Sequence, residues 1–307
     1  MSKIALARKL SKECFGWIRQ HFVVLCIMWR RLYENSVNLV SQSYQFVAIV
    51  FLTTEFCKRR SDLQQAYYYI LYVSYITDLV SMISFIIEWT GVYEVPSFNI
   101  FFKITRWYCF KSPGIHEFMF ALNRFTAMRY PTRYLKIWTG IPFYIIMTFM
   151  LTFPIVIDAY FLIANFHCQL HDDEPQCAEF GQYKIIVTLV INVSLVVAAF
   201  PLILFAFYKS SSRSFNSEMA TVERKLLLYT GLSTILFILR FTFMFLTLTY
   251  GNYYLDLMWM FSYQAQHYIP LYLLPFINHV YRRAFVKFIR CKKKHNTRIL
   301  FVATRIQ

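Results

Sequence analysis

Six apolar stretches, each long enough to cross about 30 Å of hydrocarbon as a helix, constrain this chain more than any other feature. They run over 66–88, 102–127, 141–164, 184–208, 226–250 and 257–281. A seventh, weaker stretch at 36–57 reaches spanning length only by including Ser, Gln and Asn, and it ends at Lys58-Arg59-Arg60. The apolar residues come in blocks rather than amphipathic stripes, the pattern of helices covered by lipid. A single bundle of spanning helices uses nearly all of the length. Composition agrees: 58% hydrophobic and 20% aromatic residues against 16% charged lie outside the range usual for soluble domains. The expected fold is an all-α membrane protein, a seven-transmembrane helix bundle over 36–281 with a basic tail at 282–307.

A formal charge of +16 could point to nucleic acid. A nucleic-acid reader gathers its Lys and Arg on one water-facing patch, whereas here they lie between apolar blocks and serve as a topology signal. With 58–65, 128–140, 209–225 and the tail placed inside, these segments and Arg124 hold 20 of the 32 basic residues. The opposite segments, 89–101, 165–183 and 251–256, hold almost none and carry Asp172, Asp173, Glu174 and Glu179. The expectation is N-terminus outside, C-terminus inside.

Residues 1–35 fit this scheme poorly. They contain seven Lys or Arg, and their apolar run at 22–29 is too short to span and precedes Arg30-Arg31 rather than a small-residue cleavage site. An interfacial amphipathic helix and a divergent N-terminus both remain open for this segment. The seven cysteines, an odd number spread over the chain, form no framework. Cys168 and Cys177 share one polar loop, and a disulfide between them is the default. The alternative is a soft-metal site with His167 and His171, although the spacing matches no zinc pattern. Cys291, in FIRCKKK, has the basic setting that accepts a palmitoyl chain or remains a free thiol. The cluster Arg290, Lys292, Lys293 and Lys294 suits anionic lipid headgroups.

Ionisable groups at membrane depth are costly unless paired or hydrated, so they point to function. Asp78 lies in the second span, Lys111, His116 and Glu117 in the third, Asp158 in the fourth, Arg240 in the sixth and His267 in the seventh. All are expected to face the bundle interior. Glu117 and Arg124 are two helical turns apart on one face, which makes Glu117 a candidate holder of Arg124. Asp78 and Glu117 either glue helices through hydrogen bonds or take part in switching. Pro113-Gly114 just below Lys111 suggests a kink and a ligand-facing cavity. Arg124 itself is expected at the inner mouth of the third span, its guanidinium reaching the interface. Asn192-Val-Ser194 matches a glycosylation acceptor formally but sits inside a span. No nucleotide loop, HExxH, Gly-x-Ser-x-Gly or two-cysteine redox pair is visible, so an enzyme is not expected and no cofactor or metal is implied.

Seven spans, together with Asn123-Arg124-Phe125-Thr126-Ala127, Pro131 and Tyr134-Leu-Lys-Ile-Trp138, resemble a G-protein-coupled receptor. More narrowly they resemble the nematode serpentine chemoreceptors of the class gamma superfamily, class V among them. AYYYILYVSYITDLV in the second span and Val222-Glu-Arg-Lys-Leu-Leu227 before the sixth agree, and the resemblance covers roughly 60–285. It implies that Arg124 stands where rhodopsin-like receptors carry the Arg of Asp-Arg-Tyr, with Asn123 for the acid and Phe125 for Tyr. Asp78 resembles their second-helix Asp. Asn278-His-Val-Tyr281 resembles their Asn-Pro-x-x-Tyr without the Pro, and Arg283-Ala-Phe285 the start of a short membrane-lying helix. The acid–Arg lock is missing, as are the Trp-x-Pro hinge of the sixth span and the cysteine at the outer end of the third.

The resemblance implies a chemosensory receptor in the plasma membrane of a sensory cell. It would bind a small molecule or peptide among the outer halves of spans three, five, six and seven, with Trp107, Lys111, Asp158, Arg240, Tyr263 and His267 as pocket candidates. Its partner would be a heterotrimeric G protein, met by Asn123, Arg124, Phe125, Arg133, Arg224 and Lys225, while Asp78, Glu117, Asn278 and Tyr281 would form the polar switch. The rival is a transporter or ion channel that uses Asp78, Lys111, Glu117 and Arg240 as a relay or permeation path.

Overall fold

The computed structural model describes residues 39–58, 61, 63–89, 96–164, 166–170, 174–211 and 218–290. The N-terminal segment 1–35, Arg59, Arg60, His171, Asp172, Asp173, Cys291 and Lys292 to Lys294 lie outside these residues. The chain divides into two compact units, Met1–Ala48 and Ile49–Gln307. Of the first, the described residues 39–48 are helical, and the hydroxyl of Ser43 donates to the Leu39 carbonyl at 2.8 Å.

The second unit contains helices and no strand among its described residues. Its elements are α1 (49–56), α2 (Ala66–Trp89), α3 (Pro96–Arg129), α4 (Pro131–Ile137), α5 (Gly140–Ala164) and α6 (Phe166–Leu170). After a short turn at Pro175–Cys177 follow α7 (Ala178–Ser211), α8 (Glu218–Tyr250), α9 (Tyr253–Ile277) and α10 (His279–Ile289). Among the described residues, three helices are long and apolar enough to cross a membrane: Gly140–Tyr160, Pro175–Ser210 and Val222–Tyr250, with mean hydropathies of 2.0, 2.6 and 1.8. This is a helical membrane protein. In length α2, α3 and α9 match these three, at 24, 34 and 25 residues; they carry more of the polar side chains that turn inward.

Burial is inverted relative to a soluble protein. Arg124, Lys111, Asn123, Asn192 and Asn278 are buried, while Ile141, Tyr144, Val156, Tyr160 and Ile163 on α5 are each 70% exposed or more. An apolar face of that extent belongs against hydrocarbon rather than water. Helix α3 packs against α2, α5, α7 and α8, and α9 against α8 and α10. Ala121 of α3 faces Ala199 and Ala206 of α7 in one core cluster with Met128, Ile203 and Leu227. Small side chains here let two backbones approach, as tight packing in lipid requires.

Helix ends follow from local chemistry. Tyr250 is followed by Gly251 at φ +58°, a left-handed stop that glycine adopts without strain. Asn252 then caps α9, its side chain accepting from the Tyr254 N–H at 2.9 Å. Two residues thus turn the chain, where the sequence suggested a loop over 251–256. Pro131 occupies the first turn of α4, where its missing N–H costs nothing.

Several expected boundaries move. The polar segment 165–183 contains α6 and the turn, and α7 starts at Ala178. Helix α8 begins at Glu218, so much of the expected loop 209–225 is helical; residues 131–137 within the inner segment are helical too. The helix over the last stretch, expected at 257–281, does not run to 281. It stops at Ile277, and Asn278 ends α9 and starts α10 at once, its side chain accepting from the backbone N–H groups of Val280 (3.0 Å) and Tyr281 (3.2 Å). An asparagine N-cap therefore makes the break that a proline would otherwise enforce. The Asn278 amide also donates to the Tyr68 hydroxyl at 2.6 Å. Tyr281 and Phe285 pack on Phe51 at centroid distances of 5.2 and 5.1 Å, which fixes α10 against α1. Asn278→Ala should lower stability by about 1–2 kcal/mol and raise hydrogen exchange in α10 before the rest of the bundle. Uniform exchange across α9 and α10 would refute the capping role.

Candidate functional site

The polar side chains that the sequence singles out gather into three clusters along the bundle, with α3 contributing to each.

At one end, Arg124 is fully buried. It pairs with Glu223 of α8 and with the Asn123 side-chain oxygen, and its guanidinium lies 4.5 Å from the ring centroid of Tyr67 in α2. Two expectations are corrected here. The guanidinium is wholly buried among the helices rather than exposed, and Glu117 is not its partner. Glu117 instead accepts from Ser233 Oγ at 2.5 Å and Thr234 Oγ1 at 3.3 Å, both on α8. The shared face was legible; the partner was not, because α8 offers hydroxyls at one level and a carboxylate nearer its start.

Around Arg124 the helices are cross-linked. The Asn123 amide donates to the Tyr134 hydroxyl of α4 at 3.1 Å, and Trp138 Nε1 donates to Thr126 Oγ1 at 2.7 Å. Burial holds the Tyr134 phenol above its ordinary pKa, so it stays a neutral donor and acceptor beside the guanidinium. Phe125 packs on Phe205 of α7 at 5.3 Å. Arg133 and Arg224 are exposed at this end, Lys225 is half-buried, and Arg224 donates to the Ser210 carbonyl at 3.0 Å. A buried cation whose carboxylate partner sits on another helix forms a latch, since separating the two strands a charge in a dry site.

In the middle, Ser74, Asp78, His116, Glu117, Gln266 and His267 line a cavity of about 30 Å³. It has room for one or two water molecules and is far below the size of an organic-ligand pocket. His116 Nε2 is buried without a partner. His267 Nδ1 lies 3.3 Å from Asp78 Oδ1, and its Nε2 lies 3.4 Å from Arg240 Nη1. A guanidinium can only donate, so Nε2 accepts and the ring proton sits on Nδ1, facing Asp78. The imidazole thus stands between the Asp78 carboxylate and the Arg240 guanidinium.

The six pocket candidates separate into two groups. Arg240, Tyr263 and His267 meet: Arg240 lies 4.3 Å from the Tyr263 centroid, Tyr263 and His267 rings are 4.6 Å apart, and Arg240 donates to Gln266 at 2.7 Å. Trp107, Lys111 and Asp158 form the other. Lys111 Nζ lies 2.8 Å from Asp158 Oδ2, and Trp107 Nε1 donates to the same oxygen at 2.5 Å. Trp107 and Lys111, four apart on α3, present one face to α5. The ligand-facing cavity expected at Lys111 is replaced by a buried ion pair, because Asp158 lies opposite on the next span. All the intramembrane ionisable groups named from the sequence turn inward.

On the polar segment, Cys168 and Cys177 form a disulfide with a Cα–Cα distance of 5.2 Å. His167, Glu174 and Cys177 each bring one potential ligand atom within 4.8 Å of the others, but the sulfurs are bonded to each other and are not thiolate ligands. His167 Nε2 lies 3.0 Å from Glu174 Oε2. Sequence reasoning missed Glu223, Tyr67 and Tyr134 as neighbours of Arg124, and Gln266 as a partner of Arg240. Glu223 had one signal, an acid beside Arg224-Lys225 at a helix start.

No protein-family model matches the chain, and no curated protein shows significant similarity to it.

Proposed function

We propose that this chain is a seven-transmembrane receptor, N-terminus outside and C-terminus inside, of the kind that the serpentine chemoreceptors represent. It binds a small molecule or peptide from the outer side and activates a heterotrimeric G protein at the plasma membrane of a sensory cell. The observation that carries this reading is the buried Arg124–Glu223 pair, which ties α3 to the start of α8 at the end of the bundle where Arg133, Arg224 and Lys225 gather. Opening that latch uncovers a guanidinium for a partner's carboxylate or chain terminus. A ligand that binds the open arrangement better shifts the population by no more than its differential affinity.

The test uses the full chain in lipid nanodiscs with an added heterotrimer, screened against volatile and water-soluble compounds. Compound-stimulated guanine-nucleotide exchange should appear in the wild type and fall about 10-fold or more in Arg124→Ala, the scale of a lost charge-assisted contact. An unchanged response in that variant removes Arg124 from coupling. Ion current or solute flux from the chain alone, with no exchange, would replace the receptor with a transporter or channel.

A further inference from the structure

Pro113 has no N–H, so a helix running through it loses the bond to the Cys109 carbonyl. Helix α3 nevertheless continues from Pro96 to Arg129. Ser112 Oγ covers part of the deficit, donating to the carbonyls of Tyr108 at 3.1 Å and Cys109 at 3.3 Å. At the next residue α7 intervenes. A regular ladder would pair the Gly114 N–H with the Phe110 carbonyl. Here the Gly114 N–H donates to Asn192 Oδ1 at 2.7 Å, while Asn192 Nδ2 donates to the Phe110 carbonyl at 3.2 Å.

One primary amide from α7 is therefore spliced into the ladder of α3, its acceptor matched to the donor and its donor to the acceptor. The second N–H of Asn192 goes to the Thr188 carbonyl at 2.9 Å, so the fully buried amide has both donors and its oxygen engaged. Only glycine fits opposite it: a Cβ on Gly114 would lie 2.6 Å from Asn192 Oδ1 and 3.0 Å from Asn192 Cα. The residue that formally reads as a glycosylation acceptor and the Pro-Gly pair that reads as a kink are two halves of one contact. Gly114 lies ten residues, about three turns, before Arg124.

We propose that Asn192 is a positioning residue: its amide sets the turn of α3 at Pro113-Gly114 and thereby holds the following half of that helix where Arg124 closes on Glu223. Two arrangements of this turn leave both the Gly114 N–H and the Phe110 carbonyl hydrogen-bonded. In one the amide is inserted; in the other it withdraws and the Gly114 N–H returns to the Phe110 carbonyl, as ladders around proline do when they readjust. The inserted amide and the closed latch occur together, so removing the amide favours the open arrangement. The signalling consequence rests on the receptor reading above; the geometric one does not.

The experiment places spin labels at the exposed positions Thr132 and Leu228 of the full chain in lipid nanodiscs and measures their distance distribution, alongside basal nucleotide exchange by an added heterotrimer. Asn192→Leu should move the distribution toward longer distances and raise basal exchange about fivefold or more, the usual lower range for coupling between sites. Asn192→Asp should do the same, because a carboxylate oxygen would face the Phe110 and Thr188 carbonyls. Gly114→Ala and Asn192→Ala should shift the distances equally, and the double variant no further, since each ejects the same amide. If Asn192→Leu fails to fold, the Asp and Gly114→Ala variants carry the test. A lower unfolding temperature with wild-type distances in these variants would overturn the proposal, reducing Asn192 to packing. Shifted distances with no exchange in any chain, wild type included, would uphold the positioning role and remove the receptor reading.

Discussion

Lys111→Met in a chain that keeps Asp158 should destabilise the bundle by about 3–5 kcal/mol, the usual cost of leaving one member of a buried ion pair without its partner. Both groups are buried, Lys111 at 1% and Asp158 at 5% exposure, so neither carries its charge into water. Asp158→Asn should cost a similar amount, because the ammonium then faces a neutral amide and Trp107 Nε1 loses its charged acceptor. The double variant Lys111→Met with Asp158→Asn should recover most of the loss, since a neutral pair of similar size removes the desolvation cost of both charges. Unfolding in detergent, followed by accessibility of the buried thiol of Cys109, measures all three. Single variants as stable as the wild type would show that water reaches this pair, and would reopen Lys111 as a ligand contact.

Glu223→Ala should raise basal nucleotide exchange about 10-fold or more. The expectation sits below the full penalty of a broken buried pair because the Glu223 side chain is 21% exposed, while that of Arg124 is wholly buried. Asn123 and the Tyr67 face remain as partners and retain part of the closed population. Glu223→Gln, which keeps an acceptor oxygen but not the charge, should fall between. Basal exchange unchanged in both variants, in a preparation where the wild type responds to a compound, would mean that the pair restrains nothing.

Much of the architecture was legible along the chain. Each of the six long apolar stretches coincides with a helix, and the described residues 39–56 of the weaker one are helical. The helix ends were less legible, because they depend on groups of one or two residues: Asn278 stops α9 four residues before the apolar pattern fades. The inward turn of the ionisable side chains followed from the expense of exposing them to hydrocarbon. Their partners did not follow. Glu117 was placed near Arg124 by helix periodicity, which relates residues of one helix and says nothing about a neighbour's face.

The sequence by itself determined a helical membrane protein, the approximate place of each helix and the short list of buried polar groups, because hydrophobic transfer is a local, additive property of each segment. Only the tertiary structure decided that Arg124 meets Glu223, that Lys111 meets Asp158, and that Asn192 enters the ladder of α3. Those pairs lie 99, 47 and 78 residues apart. Which of them form depends on helix rotation and backbone approach, set by the packing of Ala121, Ala199 and Ala206 and by the missing side chain of Gly114.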